Sequence, residues 1–452
     1  MGEVRGPPNS QIVTSARSRS TRSDTSGLYV APKRTMSQSF GTSASNWTAT
    51  ATSNPDLPAE LLDHIVDFLR DDTEALKTCC LTSKSWIPRT RKHLFADVNF
   101  DSPTRLQAWK NKFPNPSTSP ACYTKSLFLS YQWNLAHLAD AEEGGWIPTF
   151  SQIEYLMIKI EGWDISLVPF HGISPVLKSL SIDCIFPPLS PTSNLICSFP
   201  LLEDLSVEIH YDSYRDHHFH GQLAASRPSS SPVFTGYLQL SVSGAMHHIA
   251  YGLLSLPGGL HFQALILVVR SKEDILSATA LVEECSPTLE YLELDCEPGM
   301  SVSPHVYDNS LPPLIVDESP DSIDLSKATR LRHAVFICKS DPRLITMALR
   351  TITRNHRNFK RLSIGAPKTL SSGVFTPRRL DLANIKHAVG EAGYLGWLEL
   401  DRLLAQLHES RSIRLNVLIR GGGQEVRSCM EHLLPEVVTV GIGWEPESGT
   451  EG

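Results

Sequence analysis

Leu177-Lys178-Ser179-Leu180-Ser181-Ile182, Leu202-Glu203-Asp204-Leu205-Ser206-Val207 and Leu289-Glu290-Tyr291-Leu292-Glu293-Leu294 repeat one phrase, apolar-x-x-Leu-x-apolar. Looser copies are Ile153-Glu154-Tyr155-Leu156-Met157-Ile158, Phe262-Gln263-Ala264-Leu265-Ile266-Leu267 and Phe359-Lys360-Arg361-Leu362-Ser363-Ile364, with degenerate ones around Leu127, Leu238 and Val335. Alternation about the central leucine is the two-residue period of a half-buried strand. Leu156, Leu180 and Leu205 stand 24 and 25 residues apart, and Leu265 and Leu292 stand 27 apart. Those intervals hold one strand and one return segment per turn of an α/β solenoid, in which each turn buries its apolar edge only against its neighbours. Wider spacings, such as Leu205 to Leu238, contain insertions rich in Pro, Ser and His. The carboxyl end reads as a terminal cap: a helix from Trp397 to Leu407, a strand from Ile413 to Ile419, a helix near Val426 to Leu434 and a last strand from Val437 to Ile442. The expected solenoid with its cap covers residues 122–445, and a short disordered tail covers 446–452.

Upstream, the pattern is helical. Leu57, Leu61, Leu62, Ile65, Phe68 and Leu69 recur at helix spacing, and Pro58 suits a first helical position. Asp71 and Glu74 resemble a capping box that starts a second helix carrying Leu76, Cys79, Cys80 and Leu81. A third helical segment runs from Ser83 through Trp86 and Ile87 to Leu94-Phe95, with Pro88 expected to kink or break it. About forty residues are too few to bury all of these apolar groups, so some must face a partner or the next domain. Residues 54–95 form this unit, 96–121 read as a linker, and 1–53 are a Ser/Thr/Arg-rich segment expected to be disordered. That segment sets Arg5, Arg17, Arg19, Arg22, Lys33 and Arg34 against Glu3 and Asp24 and lacks amphipathic spacing, so it reads as a solvated tail rather than a transit peptide.

Composition narrows the function classes. An apolar fraction of 41% and a charged fraction of 20% are those of a globular protein. A net charge of −7 argues against a general nucleic-acid binder, which needs clustered cations to displace phosphate counterions. The one uncharged stretch of membrane-like length, Tyr251 to Val269, is divided by Pro257-Gly258-Gly259, and Phe262 to Val269 then has the length of a buried strand. No hydrophobic secretory core is expected at the amino terminus. Nine cysteines without a C-x-x-C pair suit reduced, mostly buried thiols of the cytoplasm or nucleus, and Cys79-Cys80 read as helix packing.

Catalytic signatures are missing from the sequence: no G-x-S-x-G elbow, no G-x-x-x-x-G-K-[ST] loop and no H-E-x-x-H helix occurs. Gly421-Gly422-Gly423 reads as a turn. His217, His218 and His220 with Asp212 and Asp216 have metal-binding residue types but no scaffold that fixes geometry, and they read as a solvated loop, as do His247-His248. Neither a metal nor a cofactor is expected.

Asp56-Leu57-Pro58-Ala59-Glu60-Leu61-Leu62, followed by Ile65, Leu69, Leu81-Thr82-Ser83-Lys84-Ser85-Trp86 and His93-Leu94-Phe95, resembles the F-box, in the form common in fungal F-box proteins. The ordered set carries the resemblance, over about forty residues. The downstream region more weakly resembles the degenerate leucine-rich-repeat domains that follow the F-box in those proteins. It lacks the usual Asn/Cys signature, and its repeats vary in length. The fold implied is α/β, a three-helix F-box ahead of an irregular leucine-rich-repeat-like solenoid. The resemblance implies docking to a Skp-type adaptor, and through it to a cullin and a RING subunit, with the solenoid holding a protein substrate for ubiquitin transfer by other subunits. Leu57, Pro58, Leu61, Ile65 and Leu69 would face the adaptor, while Trp86, Leu94 and Phe95 would pack at the junction with the solenoid. Strand alternation places Asp183, Asp204, Glu208, Tyr291, Glu293 and Asp295 outward on the middle turns, with Lys159 and Arg361 nearer the ends, an acidic face suited to a basic substrate segment. Two other functions are a non-catalytic F-box scaffold without a ubiquitination role and a solenoid-based hydrolase or transferase.

Overall fold

The computed structural model describes residues 58–130, 146–160, 170–171, 173–184, 189–209, 234–242, 246–256, 258–296, 323–338, 342–365, 385–386, 389–411, 413–419, 423–441 and 443–446. Three helices come first: α1 (Ala59–Phe68), α2 (Thr73–Thr82) and α3 (Ile87–Leu94). The strands that follow are β1 (Asp97–Phe100), β2 (Ser126–Ser130), β3 (Tyr155–Ile160), β4 (Ser179–Cys184), β5 (Asp204–Ile209) and β6 (Tyr237–Val242). The remaining strands are β7 (Ala264–Val269), β8 (Tyr291–Cys296), β9 (His333–Cys338), β10 (Arg361–Gly365), β11 (Arg414–Ile419) and β12 (Gly443–Pro446). They form one open twelve-stranded sheet in strictly sequential order, each neighbouring pair parallel. The protein is therefore α/β, and its strand order agrees with the expected solenoid winding. Sequential parallel pairs joined by right-handed crossovers put every return segment on one face of a sheet. Those returns include α4 (Pro103–Lys112), α5 (Leu189–Cys197), α6 (Met246–Leu254), α7 (Lys272–Cys285), α8 (Arg343–Arg350), α9 (Glu391–Arg411), α10 (Gly423–Leu433) and α11 (Pro435–Val440).

The repeated phrase becomes the core. Leu156, Leu180, Leu205, Leu238, Leu265 and Leu292 lie side by side in register across β3 to β8, all fully buried. From β4 to β7 every second residue is buried and the others are half-buried. The row continues through Ala334 of β9, not Val335, to Leu362 and Leu415. On β9 and β10 the second face is buried too, and Gly365 has no room for a side chain because its Cβ would lie 2.9 Å from Ile337 Cγ1. Gly236 serves the same end before β6. A Cβ there would fall 1.8 Å from Asp204 Oδ1, the atom that accepts the Tyr237 N–H at 2.9 Å.

Five local expectations are corrected. The second helix is capped by Asp72, not Asp71, whose side chain accepts from the N–H groups of Glu74 and Ala75. Pro88 breaks nothing: it sits in the first turn of α3, where its missing N–H costs no hydrogen bond. Residues 96–121 are not a linker, because β1 is already the first strand of the sheet and α4 follows it. His247-His248 lie on α6 rather than in a loop. Val437 to Val440 are helical, not a strand. Pro435 opens α11, and the buried Asp401 carboxylate of α9 accepts the Glu436 and Val437 N–H groups at 2.8 and 2.9 Å. The last strand is instead Gly443–Pro446. Residues 1–53, Leu57, the Asp212 to His220 cluster, Gly421-Gly422 and residues 447–452 lie outside the described residues.

Candidate docking surfaces

In the helical unit, Val66 of α1 and Leu76 and Cys79 of α2 are buried. Cys80 Sγ lies 2.8 Å from the hydroxyl of Thr90 on α3. A polar clamp ties α1 to α3: Asp67 accepts from Arg89 Nε at 2.7 Å, again from Arg89 Nη2, and from His93 Nε2 at 2.7 Å. Those hydrogen bonds, Arg89 first, hold the Asp67 carboxyl well below the usual carboxylate range.

Outside this core, large apolar groups meet solvent. Leu61 and Ile65 are exposed along one face of α1, Phe68 follows at 88% exposure, and Leu81 at the end of α2 is 89% exposed. Pro58 is exposed at the start of α1, and Leu69 is half-buried just after it. Of the expected adaptor-facing set, Pro58, Leu61 and Ile65 are open, while Leu69 is partly withdrawn. Phe68 and Leu81 were not in that set. Phe68 continues the i, i+4, i+7 spacing from Leu61 and Ile65, the signal that could have found it.

At the junction Phe95 makes edge contacts with Trp109 (5.7 Å between centroids) and Phe113 (5.9 Å), and Trp109 continues to Phe100 and Phe150. Trp86 and Leu94 are half-buried. Phe95 thus joins the aromatic cluster that covers the start of the sheet.

The six outward positions of the middle strands do lie on the half-buried face, but in two groups. Asp183 and Glu208 are register partners on β4 and β5, and Asp183 pairs with Lys159 at 2.8 Å. Asp204 is held by the Tyr237 N–H. Tyr291, Glu293 and Asp295 are on β8, three strand spacings from β5, or about 14 Å. Between them β7 presents Ala264, Ile266 and Val268. The Tyr291 hydroxyl donates to Glu293 Oε2 at 2.6 Å, and burial, then that carboxylate, pushes its pKa up, so it remains a neutral donor. Its ring edge meets His333, whose Nε2 lies 3.2 Å from Ser363 Oγ, and Arg361 is the register partner of His333. No single acidic surface results: the face is acidic at β4 and β5, apolar at β7 and mixed from β8 to β10.

Just before each strand, one residue donates its N–H to the carbonyl of its counterpart on the preceding turn. The row runs Lys125, Glu154, Lys178, Glu203, Gly236, Gln263, Glu290, Arg332, Lys360. Its first members alternate in sign, with Lys125 to Glu154 at 2.6 Å and Lys178 to Glu154 at 3.8 Å. Its last two are both cations.

On the helical side, His247 and His248 border a groove of about 480 Å3 between α6 and α7, with Tyr251, Leu254 and Leu276. Burial, then the neighbouring His247, lowers the pKa of His248. Among the described residues no three His, Cys, Asp or Glu side chains are arranged to hold a metal ion, and no helix is long and apolar enough to cross a membrane. The chain matches no protein-family model and no curated protein.

Proposed function

We propose that this chain is an F-box protein serving as the substrate receptor of a cullin–RING ubiquitin ligase. Its three-helix unit docks a Skp-type adaptor, and its leucine-rich-repeat-like solenoid holds a protein substrate, with no active site of its own. The observation that supports this most is the exposure of Leu61, Ile65, Phe68 and Leu81 on a unit whose own core is already closed by Val66, Leu76 and Cys79. Several large apolar groups left exposed on so small a unit signal a protein contact. The Phe95 cluster, which fastens the unit to the sheet, suits a receptor that must hold its substrate at a fixed distance from the adaptor. Reduced thiols fit a cytoplasmic or nuclear setting.

A pulldown of purified adaptor tests the reading. Leu57→Ala with Pro58→Ala, or Ile65→Ala with Phe68→Ala, should weaken adaptor binding by a few kcal/mol, the range of interface hot spots. Full retention of adaptor by both double variants would overturn it. Deleting residues 54–95 should stabilise the bound substrate in cells; an unchanged half-life would favour the scaffold role.

A further inference from the structure

We propose that the rim below β9 and β10 is a cationic cradle for an acidic, carboxylate-rich segment of a partner protein. Arg332 and Lys360 are consecutive in the rim row, Lys360 donating its N–H to the Arg332 carbonyl at 2.9 Å, so their backbones sit one strand apart. The next residues along the same strands are His333 and Arg361, and Arg414 of β11 is in register with Arg361. Arg330 flanks the row, and Arg354 and Arg357 rise from the loop that leads into β10.

The loop is fixed rather than loose. His356 at its centre is 3% exposed; its Nδ1 receives the Thr353 N–H at 3.1 Å, and its Nε2 reaches the Leu325 carbonyl at 2.7 Å. Arg354 and Arg357 flank this buried ring and point their charge outward, both exposed, as is Lys360. Glu290 is the counter-charge at the rim, and it is taken by Arg330 at 3.3 Å and Arg332 at 3.2 Å. Arg354, Arg357 and Lys360 make no ion pair with any described residue. In a chain of net charge −7, three cations without an ion pair to any described residue, on a fixed loop and the rim it leads into, form an attractive field with its own local sign. Arginine in particular offers paired N–H donors that match a carboxylate.

A nucleic acid is the other polyanion to weigh. It would need a longer cationic track and aromatic faces for stacking. The exposed large aromatics of the described residues, Phe68 and Tyr251, lie elsewhere in the fold, so the acidic peptide is the better fit. Where the chain serves as a ligase receptor, this inference rests on that reading for its biological use, but its test needs no adaptor, so the two can fail separately.

The probe is a fluorescent peptide of twelve glutamates, titrated into the full chain at low and at physiological salt, with a lysine peptide and a single-stranded RNA of equal charge as comparisons. We expect the glutamate peptide to bind, weakening as salt rises. Arg354→Glu with Arg357→Glu and Lys360→Glu should reduce binding at least tenfold, while reversal of the exposed Arg91 and Lys92 on α3 leaves it unchanged. The neutral variant Arg354→Gln with Arg357→Gln, at positions open to solvent, should lose several-fold with an unaltered melting curve. Absence of binding at low salt, equal binding by the reversed variant, or tighter binding of the RNA than of the peptide would each overturn the proposal.

Discussion

Removing the Asp67 carboxylate should release α1 from the helical unit while leaving the sheet intact. Among the described side chains of α1 only Val66 is buried, so the helix relies on the clamp to Arg89 and His93 more than on packing. A hydrogen bond to a charged group contributes about 1.5–3 kcal/mol when well shielded. Here the carboxylate is 35% exposed and the Arg89 side chain 32%, so solvent screening takes a large share. A net loss of about 2 kcal/mol for Asp67→Ala is the reasonable scale, and that multiplies the open population of α1 roughly thirtyfold. Hydrogen–deuterium exchange reads this directly: peptides over 59–68 should exchange faster by about that factor, with β3 to β8 unchanged as the internal reference. The effect has a pH signature. Since the folded-state pKa is depressed, the clamp's contribution is complete above the ordinary aspartate value of about 3.9 and fades as pH falls through the lowered one. Unchanged exchange of 59–68 in Asp67→Ala at neutral pH would refute the clamp.

Gly236→Ala should cost about 1–3 kcal/mol, because its Cβ displaces the Asp204 carboxylate from the Tyr237 N–H. A denaturant double-mutant cycle with Asp204→Ala should show strong non-additivity, and simple additivity would count against the contact. Asp401→Ala leaves two N–H groups at the start of α11 without an acceptor and should destabilise the carboxyl end by about 3 kcal/mol, measured by limited proteolysis and melting. Burial raises the Asp401 pKa, so its sign is opposite to that of Asp67: relative to Asp401→Asn, the parent chain should lose stability as pH rises through that value. Glu293→Lys with Asp295→Lys reverses the charge that β8 sets beside Tyr291 and should weaken capture of a basic substrate segment in proximity labelling, and unchanged labelling would remove β8 from the substrate surface.

The sheet was legible wherever a strand kept the central leucine, since alternation is a local property and each copy reports on itself. β1 was not. Asp97-Val98-Asn99-Phe100 offers two apolar residues and no leucine, and its identity as a strand comes from pairing with β2. α11 misread as a strand for a different reason: Val437, Val438 and Val440 favour strands locally, and the capping carboxylate that overrides them comes from Asp401, far away in sequence. For the helical unit, spacing marked an apolar stripe that includes Phe68, which is exposed, and passes over Val66, which is buried. The cations of the rim are plain in the sequence, but that Arg332 and Lys360 adjoin is a fact of sheet register alone.

Strictly sequential strand order makes the chain permissive to splicing. β3 gives way to β4 between Ile160 and Ser179, whereas the passages from Ile209 to Tyr237, Cys296 to His333 and Gly365 to Arg414 are longer, yet the same buried row, leucine except for Ala334 on β9, runs through all of them. Each doubling of a connecting segment costs only about 0.6 kcal/mol of closure entropy. New cassettes can therefore enter at those crossings without resetting the alignment on either side, and lineages descended from such a chain are free to diverge there while the strands stay fixed.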